Sequence, residues 1–219
     1  MSDYPDTAHI LDSTIYDNDG SKKDHNEPVE TLGKFGHAQD FDGSNDYIDT
    51  TDFDIEDDFT ISMWINPSST VYQQSFIAKQ TTNCDNIFVF GYYKNNDNEG
   101  YSFHIRENSF RDGVMETGWQ YMTYVGKKIG SSVTNAMVYK NGELLWQREL
   151  GEVAGNILGK PWTIGQDWDP SGRTDHYHGI IDELRIANYQ KDNEWIATEY
   201  TNQQDPQNFI DFSPEEGAP

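Results

Sequence analysis

Two adjacent carboxylates, Asp182 and Glu183, interrupt the otherwise apolar segment HGIIDELRIAN at residues 178–188. The apolar residues predict a strand, and a carboxylate inside such a strand costs several kcal/mol unless it is paired or bound to a metal ion. Asp182 is therefore expected to bind a cation, to pair with Arg185 or to cap a turn. Glu183, on the other face of the strand, is expected to be solvated or bonded to the backbone.

The segment FDGSND, residues 41–46, concentrates side-chain oxygens in a turn. Asp42, Asn45 and Asp46 supply carboxylate and amide oxygens, and Gly43 allows backbone carbonyls to point inward. Calcium takes roughly six to eight such hard oxygen ligands. The turn is therefore a candidate structural calcium site.

A large indole, Trp168, lies beside Asp167 in the polar segment DWDPSGRTD, residues 167–175. Aromatic faces stack on the apolar side of a sugar ring, and carboxylates accept hydrogen bonds from its hydroxyls. The segment also matches much of a calcium-binding helix–loop–helix pattern, but His178 stands where the closing glutamate is required, which favours a polar surface loop. Trp168 is expected either to contact a ligand or to fold back and anchor this loop.

The strand segment YSFHIRE would complete a sugar site. Its alternation places His104 and Arg106 on the face opposite its buried aromatic residues, and Tyr92 on the neighbouring strand would border them. We predict that these three residues line a glycan site, together with Asp167 and Trp168, on a concave sheet face and its rim. The alternative for His104 and Arg106 is a solvated face with ordinary salt bridges.

The sequence shows no recognisable catalytic constellation. A glycosidase needs two carboxylates at a fixed separation. The acid-rich DIEDD, residues 54–58, is instead expected to form a solvent-facing turn before a strand. There is no nucleophile elbow and no phosphate-binding loop. The single cysteine, Cys84, excludes an internal disulfide and the cysteine-based zinc spacings. We expect a non-catalytic protein.

The charge of the chain limits its partners. Against 15 Lys and Arg residues stand 38 Asp and Glu residues, for a net charge of −23, so nucleic acid and anionic membranes are repelled and cations are attracted. The same charge favours neutral sugars over polyanionic ones. No apolar run approaches the ~20 residues of a membrane span, so membrane insertion is not expected.

Most of the chain has the pattern of short strands separated by turns. FTISMWI, residues 59–65, alternates in the manner of a half-buried strand, and Asn141-Gly142 between two apolar runs predicts a tight hairpin. Helix signals are confined to residues 190–204, with a short helix expected near 191–198. Less than about a tenth of the residues should be helical.

Six segments of the chain occur in an order that resembles a known family. GKFGHAQDFDGSNDYID, FTISMWINP, GWQYMTYV, VYKNGELL, WTIGQ and GIIDELRIAN are similar, over about residues 8–200, to the LamG-like jelly-roll family of the concanavalin A-like lectin/glucanase superfamily. The resemblance implies an all-β, two-sheet antiparallel jelly-roll sandwich over residues 1–212, with 213–219 as a linker or disordered tail. The first strand, in YPDTAHI, is weaker than is usual in the family.

The same resemblance answers why Asp182 stands in a strand. In this family the equivalent strand lies next to the one that resembles QDFDGSNDYI, and its aspartate commonly helps to hold a structural calcium ion. Carried over, the resemblance implies that Asp182, Asp42, Asn45 and Asp46 bind calcium.

The resemblance also sets the expected function. It implies a lectin-like carbohydrate-binding module, stabilised by calcium, whose partner is a polysaccharide or a cell-surface sugar. The ending EWIATEYTNQQDPQNF resembles the tails of family members in multidomain secreted proteins, so we expect a larger secreted or cell-surface parent chain. The alternative is an adhesion or protein-interaction domain of a large surface protein, and a glycan-active enzyme of the same fold ranks third.

Overall fold

Two antiparallel sheets pack face to face in the computed structural model, which describes residues 8–23, 27–80, 86–95, 98–153 and 160–206. About 57% of the residues are in strands and 7% in a helix, which confirms the expected sandwich and its low helix content. Cys84 and the predicted tail at 213–219 lie outside the described residues.

The larger sheet has eight strands. From edge to edge they are β1 (His9–Ile10), β2 (Gly20–Lys22), β5 (Ile48–Asp52), β14 (Pro161–Ile164), β7 (Gln74–Gln80), β8 (Asn86–Lys94), β9 (Glu99–Ile105) and β10 (Asn108–Asp112). The first strand is only two residues long, in keeping with the weak signal of YPDTAHI.

The second sheet has seven strands. From edge to edge they are β13 (Glu143–Leu150), β12 (Val133–Lys140), β11 (Gln120–Gly130), β6 (Phe59–Pro67), β17 (His178–Ala187), β4 (His37–Asp42) and β3 (Val29–Leu32). A separate hairpin pairs β15 (Asp167–Asp169) with β16 (Gly172–Thr174), and the helix α1 spans Asn193–Gln204.

The core lies between the two large sheets and is rich in aromatic rings. Phe59 from the seven-stranded sheet packs against Phe88, Phe90 and Phe103 from the eight-stranded sheet, with ring centroids 5.7–6.0 Å apart. Each fully buried phenylalanine contributes roughly 1.5–3 kcal/mol by leaving water. The alternation that the sequence shows in β6 therefore points one set of its side chains into this core.

The helix α1 covers the outer face of the seven-stranded sheet. Asp192 caps its first turn by accepting a hydrogen bond of 2.8 Å from the Trp195 amide. Ile196 is buried in a small cluster with β11 and β12, and Gln203 accepts a hydrogen bond of 2.6 Å from the Trp64 indole of β6. A helix thus forms where the sequence indicated one, but it spans Asn193–Gln204 rather than 191–198, and it covers part of one of the two outer faces of the sandwich.

The tight hairpin between β12 and β13 also follows its sequence signal. Asn141 and Gly142 have φ angles of 54° and 80°. Positive φ at both central positions is what a two-residue hairpin turn requires, and this is why the Asn-Gly pair favours it.

Candidate functional site

The outer face of the eight-stranded sheet carries a row of side chains that crosses six strands. Along β8, Val89 alternates with the core residues Phe88 and Phe90, so Val89 and its cross-strand partner His104 point outward. Across these six strands, from β5 to β10, the cross-strand partners are Asp49, Thr163, Ala78, Val89, His104 and Ser109. The hairpin β15–β16 packs on this sheet against β7 and β8. We call the row and this hairpin together the hairpin face.

Asn86 and Thr163 hold the hairpin on the sheet through Trp168. The Trp168 amide donates a hydrogen bond of 3.0 Å to Oδ1 of Asn86, and Nδ2 of Asn86 donates one of 2.6 Å to the Trp168 carbonyl. The Trp168 indole N–H donates a hydrogen bond of 3.1 Å to Oγ1 of Thr163. These contacts leave the Trp168 ring half-buried at the surface of the hairpin face.

Arg173 explains why an indole stands in this polar segment. Its guanidinium carbon lies 3.9 Å from the centroid of the Trp168 ring and 3.9 Å from that of Tyr47. Nη2 of Arg173 is 3.0 Å from Oδ2 of Asp49, and Oδ1 of Asp49 accepts a hydrogen bond of 3.0 Å from Thr163. Each arginine–ring contact contributes about 0.5–2 kcal/mol, depending on its desolvation. The indole therefore anchors the hairpin and still borders the exposed face.

Asp167 lies under the hairpin rather than at the rim where the sequence placed it. It is 5% exposed and accepts a hydrogen bond of 2.8 Å from Oγ1 of Thr174. Burial, with the nearby charges of Asp175 and Asp169, raises the pKa of Asp167 to about 7. A buried carboxylic acid of this kind holds the hairpin and does not face a ligand, which corrects the expectation from the sequence.

His104 is on the hairpin face as predicted, whereas Arg106 is not. Strand β9 ends at Ile105, and Arg106 lies in the turn to β10 with a φ of 51°. Its amide donates a hydrogen bond of 2.8 Å to the Ile87 carbonyl, and its side chain is exposed. The alternation that would have carried Arg106 onto the face stops one residue earlier, because the chain reverses there.

Tyr92 points into the core, which contradicts its predicted place beside the glycan site. It is 1% exposed, its ring packs edge-on against Tyr101, and its hydroxyl donates a hydrogen bond of 3.0 Å to Glu99. Burial raises the pKa of Tyr92 to about 12. The period of two that Phe88 and Phe90 establish along β8 already indicates this inward orientation.

The structure adds residues that the sequence interpretation missed. Tyr93, the neighbour of Tyr92, is half-buried on the outer side, and the guanidinium carbon of Arg111 lies 3.7 Å from the centroid of its ring. Arg111 on β10 pairs across the strands with Ser102, which shares the outer side of β9 with His104. A hairpin signal in DWDPSGRTD, with Trp168 paired to Arg173 across a turn, would have indicated Arg173; no sequence signal indicates Arg111.

Asp182 is held by backbone amides. Its Oδ2 accepts a hydrogen bond of 3.0 Å from the Phe35 amide, and its Oδ1 accepts one of 2.8 Å from the Glu183 amide. A Cβ at Gly33 would lie only 2.4 Å from Oδ2, so the glycine makes this approach possible. Arg185 pairs with Glu183 and with Glu199. Of the roles considered for Asp182, the structure therefore shows that of a cap.

The four predicted calcium ligands do not surround one point. His178 pairs with Asp42 and Ile181 pairs with Gln39, so Asp182 lies four positions beyond the residue paired with Asp42, about 13 Å along the strand. Within the turn, Asp42 accepts hydrogen bonds from the amides of Ser44 and Asn45, and Asp46 accepts one from the Asp42 amide. Across the described ranges, no three His, Cys, Asp or Glu residues are arranged to hold a metal ion. These residues do not fit a single calcium site.

No helix formed by the described residues is long and apolar enough to cross a membrane.

Solved structures with a similar fold include three of differing kinds. Domain 4 of AbnA, a GH43 extracellular arabinanase from Geobacillus stearothermophilus in complex with arabinotriose, is 15% identical, with a TM-score of 0.66 over 87% of this chain and 96% of that one. The heptameric SAP-like pentraxin from Limulus polyphemus is 17% identical, with a TM-score of 0.54 over 68% and 72% of the two chains. The binding domain of botulinum neurotoxin DC in complex with rat synaptotagmin II is 17% identical, with a TM-score of 0.59 over 89% of this chain and 49% of that one.

The identities of these structures are low enough that they establish the fold alone, and no curated protein sequence matches the chain. The family is established separately, by a sequence model. Residues 42–197, which is most of the sandwich, match the Laminin_G_3 model. The chain therefore belongs to the concanavalin A-like lectin/glucanases superfamily.

Proposed function

We propose that this protein is a non-catalytic carbohydrate-binding module of a larger secreted or cell-surface protein, and that it binds glycan on the hairpin face. The observation that carries the proposal is the contrast between the two outer faces of the sandwich. Helix α1 covers part of one of them through Ile196 and Gln203. The other presents the half-buried indole of Trp168, which Thr163 holds over β14, and carries outward-pointing polar side chains such as His104 on β9.

The chemistry of the hairpin face suits a sugar. A pyranose or furanose ring can stack on a half-buried indole, while polar side chains exchange hydrogen bonds with its hydroxyls. Because such bonds replace bonds to water, each adds little net free energy. We expect single-site dissociation constants in the micromolar to millimolar range, about −8 to −4 kcal/mol.

Two carboxylates of the hairpin face are poorly placed for glycoside hydrolysis. Asp49 is paired with Arg173 and accepts a hydrogen bond from Thr163, and Asp167 is buried beneath the hairpin. Hydrolysis requires two carboxylates that both reach the scissile bond, one of them as an acid. This arrangement supports a binding role.

The arabinanase domain in complex with arabinotriose supports the same reading, because it has this fold over nearly its whole length. That domain belongs to an extracellular enzyme, in keeping with the secreted or cell-surface location that we propose here. The two proteins share the fold, and the sugar that this protein binds is a matter for experiment.

A protein partner is the second candidate, and the edge strand β3 favours it. Val29 is 68% exposed and Leu32 is 79% exposed on this strand, which forms one edge of the seven-stranded sheet. An edge with apolar side chains can accept an extended segment from another protein by strand addition. The similar neurotoxin domain is in complex with a protein, synaptotagmin II.

An array of neutral and acidic glycans, arabinan oligosaccharides included, tests the proposal. The parent protein should bind at least one glycan, and Trp168→Ala should weaken that binding about tenfold, since ring stacking contributes roughly 1 kcal/mol beyond area burial. Trp195→Ala is the matched control, because Trp195 is 58% exposed on α1, on the opposite side of the sandwich. Equal affinities of the parent and Trp168→Ala, with both folded by circular dichroism, would refute the assignment of the face.

A further inference from the structure

Arg111 carries a half-buried guanidinium that has no anionic partner among the described residues. Its guanidinium carbon lies 3.7 Å above the centre of the Tyr93 ring, and its Nη1 is buried with no hydrogen-bond acceptor among the described residues. No carboxylate in the described part of the chain forms an ion pair with it. Its neighbour Asp112 turns its carboxylate to the Gly113 amide, at 2.6 Å.

Two of the four other arginines of the chain pair with carboxylates. Arg173 is also stacked on aromatic rings, yet it pairs with Asp49, and Arg185 pairs with two glutamates. The chain has 38 acidic residues against 15 basic ones, so carboxylate partners are abundant. A partly desolvated donor that stays unpaired costs free energy that a bound acceptor would recover.

The surroundings of Arg111 place it on the surface that also carries Trp168. Arg111 pairs with Ser102, Ser102 pairs with Gly91, and Gly91 pairs with Ser75. This row runs beside the row of His104. Its side chains between Arg111 and the hairpin are small, so none of them projects far above the sheet. From β10 to β7 it spans three strand spacings, about 14 Å, which leaves room for a short oligosaccharide.

We infer that Arg111, stacked on Tyr93, binds the carboxylate of an acidic sugar within the glycan that the hairpin face holds. The inference rests on the proposed function, because it assigns one subsite of the same surface. A guanidinium presents parallel N–H donors that match the two oxygens of a carboxylate, and the ring beneath it fixes its plane. Both uronates and sialic acids carry this group.

The charge of the protein restricts the ligand further. With a net charge of −23, the protein repels polyanions at long range, but this repulsion is screened beyond about 8 Å at physiological salt. A contact between Arg111 and one carboxylate acts within that distance. The ligand that fits is therefore a mainly neutral oligosaccharide with a single acidic sugar.

Matched pairs of glycans test this inference. The probes are 3′-sialyllactose against lactose, and xylo-oligosaccharides with one glucuronate against unsubstituted ones, so that the sialic acid and uronate arms are separate. The carboxylated member of at least one pair should bind about tenfold more tightly, the factor that roughly 1.4 kcal/mol provides. Arg111→Gln should remove this preference, so that the two members of the pair bind with equal affinity.

Arg148→Gln is the matched control. Arg148 also stacks on an aromatic ring, 5.1 Å from the centroid of Phe110, but on the edge strand β13 of the other sheet. It should keep the preference for the carboxylated glycan. If the two members of every pair bind equally, or if Arg111→Gln keeps the preference, the subsite is wrong while the glycan-binding function stands. If no glycan binds, both the subsite and the proposed function are wrong.

Discussion

Arg173 and Trp168 face each other across hairpin β15–β16, with the guanidinium carbon of Arg173 3.9 Å from the centroid of the Trp168 ring. Directly opposed residues of an antiparallel pair point to the same side, so the pairing register creates this stack. Asp49, on another strand, then holds the guanidinium at 3.0 Å. The position of the indole on the hairpin face therefore depends on a residue that touches it from within the same hairpin.

Replacing Arg173 should loosen Trp168. Arg173→Met keeps the side-chain length and removes both the ion pair and the cation–ring contacts, so we expect a loss of stability of about 1–2 kcal/mol. Any glycan that the parent binds through Trp168 should bind more weakly. Arg148→Met serves as the control, and wild-type glycan affinity in Arg173→Met would show that the stack does not position the indole.

The buried acid Asp167 should make stability fall as the pH rises. Burial raises the pKa of Asp167 to about 7, above its ordinary value near 3.9 in the unfolded chain. Between these values the folded state keeps a proton that the unfolded state releases, so the stabilising contribution is complete below about pH 4 and is lost by about pH 7.

Asp167→Asn isolates this effect, because an amide can still accept the hydrogen bond from Thr174. The free energy of unfolding of the variant minus that of the parent should increase from pH 4 to pH 8, by up to about 4 kcal/mol. The difference is the quantity to measure, since burial also raises the pKa of Asp175 and would affect both proteins. A difference that stays constant with pH would contradict the raised pKa.

Removing the Asp182 carboxylate should destabilise the junction between β17 and the β3–β4 connection. Asp182→Ala leaves the amides of Phe35 and Glu183 without their acceptor, at about 1–3 kcal/mol for each group that stays buried. Gly33→Ala should also be destabilising, because its Cβ would collide with the same carboxylate. Thermal or urea unfolding measures both losses.

The same variant tests the separation of Asp182 from the FDGSND turn. Because they lie apart, any change in melting temperature that EDTA or calcium produces should be the same in the parent and in Asp182→Ala. A calcium response that disappears only in the variant would restore Asp182 as a ligand.

Tyr92 and Tyr93 should differ in what they affect, because they point to opposite sides of β8. Tyr92→Phe removes one hydroxyl that donates to Glu99, so stability should fall by about 1 kcal/mol with glycan binding unchanged. Tyr93→Leu removes the ring beneath Arg111 and should weaken the binding of a carboxylated glycan. Urea unfolding and glycan titration measure the two effects. If Tyr92→Phe weakened glycan binding and Tyr93→Leu did not, the assignment of the site to the outer face of the eight-stranded sheet would be wrong.

Ile196 and Trp195 offer a similar contrast on α1. Ile196→Ala empties a buried position between the helix and β11–β12 and should cost about 2–4 kcal/mol. Trp195→Ala changes an exposed side chain and should change stability by less than about 0.5 kcal/mol. Equal losses in the two variants would indicate that the helix packs through another face.

Local signals in the sequence determined much of the sandwich. The Asn141-Gly142 pair specified its hairpin because both residues tolerate positive φ, and the alternation in β6 specified which side chains enter the core. Asp192 caps the first turn of α1 by accepting a hydrogen bond from the Trp195 amide, a contact between near neighbours in the chain. Even the inward orientation of Tyr92 was available from the period of two in β8. These features depend on the backbone geometry of a few neighbouring residues, and the residue types at those positions specify that geometry.

The composition of the site was decided by tertiary structure. Arg111 reaches Tyr93, Arg173 reaches Asp49, and Asp182 reaches the Phe35 amide across 147 residues of chain. Each contact depends on the order of strands in a sheet and on their register, and a single sequence does not reveal either. The grouping of Asp182 with the FDGSND turn as ligands of one calcium ion is wrong for the same reason: neighbouring strands do bring β4 and β17 together, but their register sets Asp182 four positions away from the residue that faces Asp42.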